Sequence, residues 1–221
     1  MAYWLSQYPF FAEYGLAGYG SIVPNTTFDN VTYYGGFSGN FILPVLSPSN
    51  TTESLASVVD SVLAKINATW PGYFQFQTSS ETHPSFYEWW LSSNGPDFGG
   101  VDIMVGSRLL DEGALTANLT AVKVALQGFI PEADSFAANS ASVDFISGKG
   151  VWNAVPRGGS NAVNPAWRKA LIHMSKYTFQ SCFSCKLFDQ ELNMDFLNFE
   201  ADLIYSKWRI LELWRPRWQS S

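Results

Sequence analysis

Two charged residues stand where the surrounding sequence gives them little company. Asp144 lies in SVDFISG, which is otherwise uncharged, and Arg108 lies on the less apolar face of VDIMVGSRLL. A buried charge is costly unless it is paired, so each needs a partner or a polar cavity. An Arg108–Asp144 ion pair and a place in a binding pocket are both open readings. His173 ends the apolar run ALIH and is either a structural histidine or a proton carrier; the same choice applies to His83, beside Pro84. These are the only two histidines, and no G-x-S-x-G elbow occurs, so a Ser-His-Asp hydrolase lacks its parts. Cys182 and Cys185 form C-x-x-C, but a zinc site needs two further ligands and no second pair exists. A disulfide or two thiols is the expectation there, and no metal site. Trp89 and Trp90 are adjacent, which suits either a sugar-stacking platform or one core and one rim residue. GLAGYG at 15–20 is not G-x-G-x-x-G, and GKG at 148–150 lacks the hydroxyl and upstream glycine of a phosphate loop.

The elements that must position these residues alternate between two periods. LAGYGSIV and FSGNFILPVL read as strands, the second interrupted by Pro44 and so expected at an edge or bulge. TTESLASVVDSVLAKI places Leu55, Val58, Val59, Val62, Leu63 and Ile66 on one helical stripe, with Asn50 or Thr51 as N-cap. GYFQFQTSS and VDIMVGSRLL read as strands. A second helix is expected from about Thr116, striped by Leu119, Val122 and Leu126 and closed by Gly128. SVDFISG and WRKALIHM add two more strands. This order predicts an α+β fold, an antiparallel or mixed sheet covered by helices on one face. Residues 1–174 carry 7 basic and 13 acidic side chains, and residues 175–221 carry 6 of each in a far shorter stretch. The spacing divides the chain into a domain over 1–174 and a tail over 175–221. In the tail Leu192, Phe196, Phe199 and Leu203 fall at helical spacing and Trp208, Leu211 and Trp214 continue it less regularly, so a helical or irregular tail is expected.

Charged residues are 14% of the 221, against about 25% in an ordinary domain, and the net charge is -6. That balance offers nothing to a phosphate backbone, and nucleic acid is not an expected partner. No apolar run approaches the roughly 20 residues that span a bilayer. Five N-x-S/T sequons, at Asn25, Asn30, Asn50, Asn67 and Asn118, point to a secreted glycoprotein. MAYWLSQYPFFAEYG has neither a basic n-region nor a cleavage site, so a segment upstream of Met1 is expected.

GLAGYGSIVP (15–24), FSGNFILPVLSPSNTTESL (37–55), GSRLLDEGAL (106–115) and GKGVWNAVPRGGSNAVNPAWRKALIH (148–173) occur in this order. Together they resemble the substrate-binding domain of secreted fungal FAD-linked oxidases, the berberine bridge enzyme-like group of the vanillyl-alcohol oxidase superfamily. The resemblance covers about residues 1–174. It implies a substrate sheet facing a flavin held by a separate domain that this chain lacks, and hence a fragment. Such oxidases pass hydride from a carbon bearing a hydroxyl or amine to FAD while a protein base takes the proton. Their C-terminal Y-x-N motif does not follow His173 here, and neither cysteine matches the flavin-linking one. The resemblance makes Arg108, Asp144, Trp167, Arg168 and His173 the pocket candidates and leaves the catalytic base and the substrate open. A second expectation, from another class, is a non-catalytic secreted glycoprotein module that binds carbohydrate or a partner protein through its aromatic surface.

Overall fold

The computed structural model describes residues 1–28, 31–33, 35–45, 48–93, 103–130, 140–146, 149–155, 163–179 and 205–212. The chain opens with two short helices, α1 (Ala2–Leu5) and α2 (Tyr8–Glu13), the second with Pro9 in its first turn, where the missing N–H costs nothing. Strand β1 (Ala17–Val23) follows, then a small two-stranded ribbon of β2 (Thr26–Phe28) and β3 (Val31–Tyr33), then β4 (Gly36–Ile42). Next come α3 (Thr52–Thr69), β5 (Phe74–Glu81), α4 (Phe86–Ser93) and β6 (Ile103–Asp111). The remainder is α5 (Glu112–Thr116), α6 (Leu119–Phe129), β7 (Ala141–Phe145), α7 (Lys149–Trp152), β8 (Ala170–Phe179) and β9 (Tyr205–Glu212).

Five strands, β4-β1-β7-β8-β6, form an antiparallel block, and β9 and β5 extend it beyond β4. The fold is α+β, as the alternating periods predict. In antiparallel pairs, residues directly opposite share a face. One face therefore carries Ile22, Phe37, Phe41, Ala141, Val143, Phe145, Ile172 and Met174, all buried. Helices α1, α2 and α3 cover this inner face. Trp4, Tyr8 and Phe11 meet Phe37, Phe41 and Phe145 with ring centroids 4.8–5.9 Å apart. Gly20 and Gly39 sit opposite each other on the same face, and the Phe37 ring fills the space where a side chain on either would stand.

Helix α3 forms for the reasons its sequence displays. Thr51 caps it: its hydroxyl accepts from the Ser54 amide while the Ser54 hydroxyl accepts from the Thr51 amide, a reciprocal capping box. Leu55, Val58, Val59, Val62, Leu63 and Ile66 are all buried in the main core. Each such side chain contributes about 1.5–3 kcal/mol when fully withdrawn from water.

Several local expectations are corrected. The helix expected from about Thr116 is α6, which starts at Leu119 because Asn118 caps it by accepting from the Ala121 amide; Gly128 lies inside α6 and does not close it. Trp167 and Arg168 precede the strand. Asn164 accepts from the Ala166 amide and winds Pro165–Arg168 into a 3-10 turn, so β8 begins at Ala170. That strand then runs through Ser175 to Phe179, so the change of composition there falls within a strand. Trp208 and Leu211 lie on a strand, not a helix, and β9 pairs with both β4 and β5. Leu192, Phe196, Phe199, Leu203, Trp214, Cys182, Cys185 and Asn30 lie outside the described residues. Among the described residues no helix is long and apolar enough to cross a membrane.

Candidate functional site on the outer face of the sheet

The outer face is assembled from the alternate residues of the same strands. Strand register brings Asn40, Tyr19, Asp144, His173 and Leu109 into one row across β4-β1-β7-β8-β6. The adjacent row is Ser38, Ser21, Ser142, Ser175 and Ser107, five serines from five strands. Period-2 alternation thus writes a polar surface on the back of an apolar one. Hydroxyls and an amide surround two titratable side chains and a phenol.

At the centre Asp144 and His173 face each other, Oδ2 to Nδ1, at 3.7 Å, with 24% and 27% of their side chains exposed. The Ser142 hydroxyl donates to Asp144 Oδ1 at 2.9 Å, which fixes the carboxylate from below. The Trp167 ring lies 5.3 Å from the imidazole of His173, tilted by 52°. On the other side of Asp144, Tyr19 stands directly opposite it in register. Partial burial pushes the Tyr19 phenol above its ordinary pKa, and the negative charge of Asp144 raises it further. At neutral pH Tyr19 is therefore a protonated hydrogen-bond donor.

Helix α4 supplies an aromatic wall. Trp89 is buried, packs with Ile42 and stacks on Tyr19, ring centroids 5.9 Å apart and 14° from parallel. Trp90 meets Tyr19 edge-on at 6.2 Å, and Phe86 stacks on Trp90 at 6.1 Å, both rings being exposed. The adjacent tryptophans are thus one core and one rim residue, and the rim residue borders the polar row. α4 is the helix that departs from the one-sided cover, since Tyr19 and Ile42 belong to the outer face. Polar groups are left between aromatic rings at both ends, Trp90 and Phe86 at one and Trp167 at the other.

The candidates separate clearly. Asp144, His173 and Trp167 come together. Arg108 does not join them: it is opposite Met174, on the inner-face side of edge strand β6, and is exposed. An Arg108–Asp144 pair is therefore ruled out by alternation, and His173 is the titratable side chain that faces Asp144. Arg168 is half-buried in the turn before β8, its Nε without a hydrogen-bond partner among the described residues. His83 is buried in the loop before α4. Tyr19, Ser142 and the serine row were not singled out by their sequence context. Their signal was one serine in each of five strands, which becomes a row only once the register is known.

A carboxylate, an imidazole and a neutral phenol in one row can accept, hold and donate a proton. The described residues bring no three His, Cys, Asp or Glu side chains together as metal ligands. Comparison of the chain with protein-family models, curated proteins and solved structures returned no match.

Proposed function

We propose that this chain supplies the substrate-binding wall of an FAD-dependent oxidoreductase of the berberine bridge enzyme-like kind, with the outer face of the sheet as that wall. The observation that carries the reading is the Tyr19–Asp144–His173 row on a sheet face bordered by exposed aromatic rings. The helix-packed inner face and the polar outer face agree with what the sequence resemblance implies. The described residues do not fit the whole cofactor. They form no glycine-rich turn at a helix start and no cationic cluster for a pyrophosphate, so the phosphate end of FAD would be held outside the described residues.

The flavin's contribution would be to accept a hydride from substrate carbon; the residues here handle the proton and the pose. His173 turns Nδ1 toward Asp144, which leaves Nε2 to take the proton of a substrate hydroxyl or amine. Asp144, held by Ser142, stabilises the imidazolium that results. Tyr19 donates a hydrogen bond to a substrate oxygen, and the ring of Trp90 or Trp167 bounds the substrate laterally. The base is thus His173 backed by Asp144. The reaction class is oxidation of an alcohol, sugar or amine carbon.

Lumiflavin, the isoalloxazine without its phosphate tail, tests the reading on the chain as it stands. Saturable binding by fluorescence anisotropy, weakened by Tyr19→Ala, is the expected result. Lumiflavin that stays free at every protein concentration would overturn it. A second reading, a secreted module that binds carbohydrate without catalysis, draws on the exposed Phe86–Trp90 stack. It expects oligosaccharide binding that Trp90→Ala abolishes and His173→Ala leaves unchanged.

A further inference from the structure

We propose that the cleft between α2 and the first turns of α3 seats the first sugar ring of an N-linked glycan carried by Asn50. This rests on the secretory part of the reading above and is independent of its redox part. The cleft lies on the helical side of the molecule and has a volume of about 380 Å³, within the range of roughly 300–1,000 Å³ typical of small-molecule sites.

Its two walls differ in kind. One presents Phe10 and Tyr14, whose rings meet edge-to-face at 5.1 Å and are 36% and 55% exposed. The other presents Ser57 and Ser61 of α3. Their hydroxyl protons are already given to the helix, Ser57 to the Ser54 carbonyl at 2.9 Å and Ser61 to the Val58 carbonyl at 2.7 Å. What they offer a ligand is therefore lone pairs. Among the described residues no charged side chain lines the cleft. A fitting ligand is uncharged, brings its own O–H or N–H donors and has an apolar face for aromatic rings. A pyranose meets all three conditions, its axial C–H face lying on the rings and its hydroxyls donating to the serines.

Asn50, of the sequon Asn50-Thr51-Thr52, borders this cleft. Its Nδ2 donates to the Pro44 carbonyl at 2.7 Å. A glycosylated asparagine keeps one N–H on that nitrogen, so the bond to Pro44 can persist and hold the linkage beside the cleft. The other described sequons lack this setting. Asn25 and Asn118 use Oδ1, accepting from the Gly35 and Ala121 amides, and Asn67 lies on the exposed side of α3; none of them lines the cleft.

The experiment is secretion of the full chain from a glycosylating eukaryotic host, glycopeptide mass mapping, and timed endoglycosidase release from the folded protein. The expected result is an occupied Asn50 whose glycan is released several-fold more slowly than those at Asn67 and Asn118. Tyr14→Ala should remove that difference at Asn50 alone. Ser57→Val, on the opposite wall, should do the same and keeps the proposal testable if the tyrosine variant is poorly secreted. Occupied Asn67 or Asn118 beside an unoccupied Asn50 would overturn the proposal while sparing the secretory reading. Equal release rates, unaffected by either variant, would also overturn it. Sugar at no sequon would overturn both. Saturable binding of free N-acetylglucosamine with Asn50 unoccupied would assign the cleft to a free sugar and overturn the attachment.

Discussion

At the residue scale, Asp144 acts on the titration of its neighbours. Its charge is the second cause, after burial, of the raised Tyr19 pKa. Asp144→Asn should therefore lower the Tyr19 titration midpoint, measured by ultraviolet difference titration or side-chain NMR, yet leave it above that of an exposed tyrosine, because the burial remains. An unchanged midpoint would detach Tyr19 from the row. The same sign governs stability at alkaline pH. Tyr8 is buried beneath the sheet, and burial chiefly drives its pKa far up, with Asp144 adding to the rise. A phenol whose folded pKa exceeds its unfolded value of about 10 contributes stability that is complete below that pH and lost as pH climbs toward the folded value. Chemical denaturation should thus show a plateau up to about pH 10 and a decline above it. Tyr8→Phe should flatten that decline; a variant that loses stability as steeply as wild type would contradict the assignment.

At the element scale, α3 shows how much was legible. Its six-residue stripe needed nothing beyond the chain's own spacing, which narrowed the cap to Asn50 or Thr51; Thr51 is the cap and all six stripe positions are buried. Thr51→Ala removes the hydroxyl that accepts from the Ser54 amide, leaves the Thr51 backbone N–H to donate to the Ser54 hydroxyl, and should cost about 0.5–2 kcal/mol. Leu55→Ala should cost about 2–5 kcal/mol, since the vacated volume faces a packed core. Equilibrium urea unfolding measures both. The strand segments were readable too, but their register was not. Ser21, Ser38, Ser107, Ser142 and Ser175 are scattered over 155 positions, and only tertiary pairing aligns them. Trp208 and Leu211 continue the helical spacing only irregularly, and β9 is selected instead by pairing with β4 and β5. α4 escaped notice because eight residues with adjacent tryptophans carry no clear stripe. Local propensity decides α3, whereas the site is decided by pairing between distant segments.

At the scale of the whole molecule, the sheet divides labour between its faces. The inner face holds the fold together through an aromatic cluster and the Gly20–Gly39 gap that Phe37 occupies. A methyl group at Gly39 would collide with the Tyr19 carbonyl and the Phe37 ring, so Gly39→Ala should destabilise the protein by about 1–3 kcal/mol and disturb Tyr19 on the opposite face. The outer face is left with exposed rings and a row of polar groups that the core does not need. One face folds the chain, and we propose that the other binds a small molecule. The measurement that tests it most directly is NMR mapping of backbone and side-chain shifts during lumiflavin titration of the intact protein. Saturable shifts are expected at Tyr19, Asn40, Ser142, Asp144 and His173 with Trp90 and Trp167, and little change along α3. Shifts confined to the helical side, or none along the Tyr19–Asp144–His173 row, would contradict it.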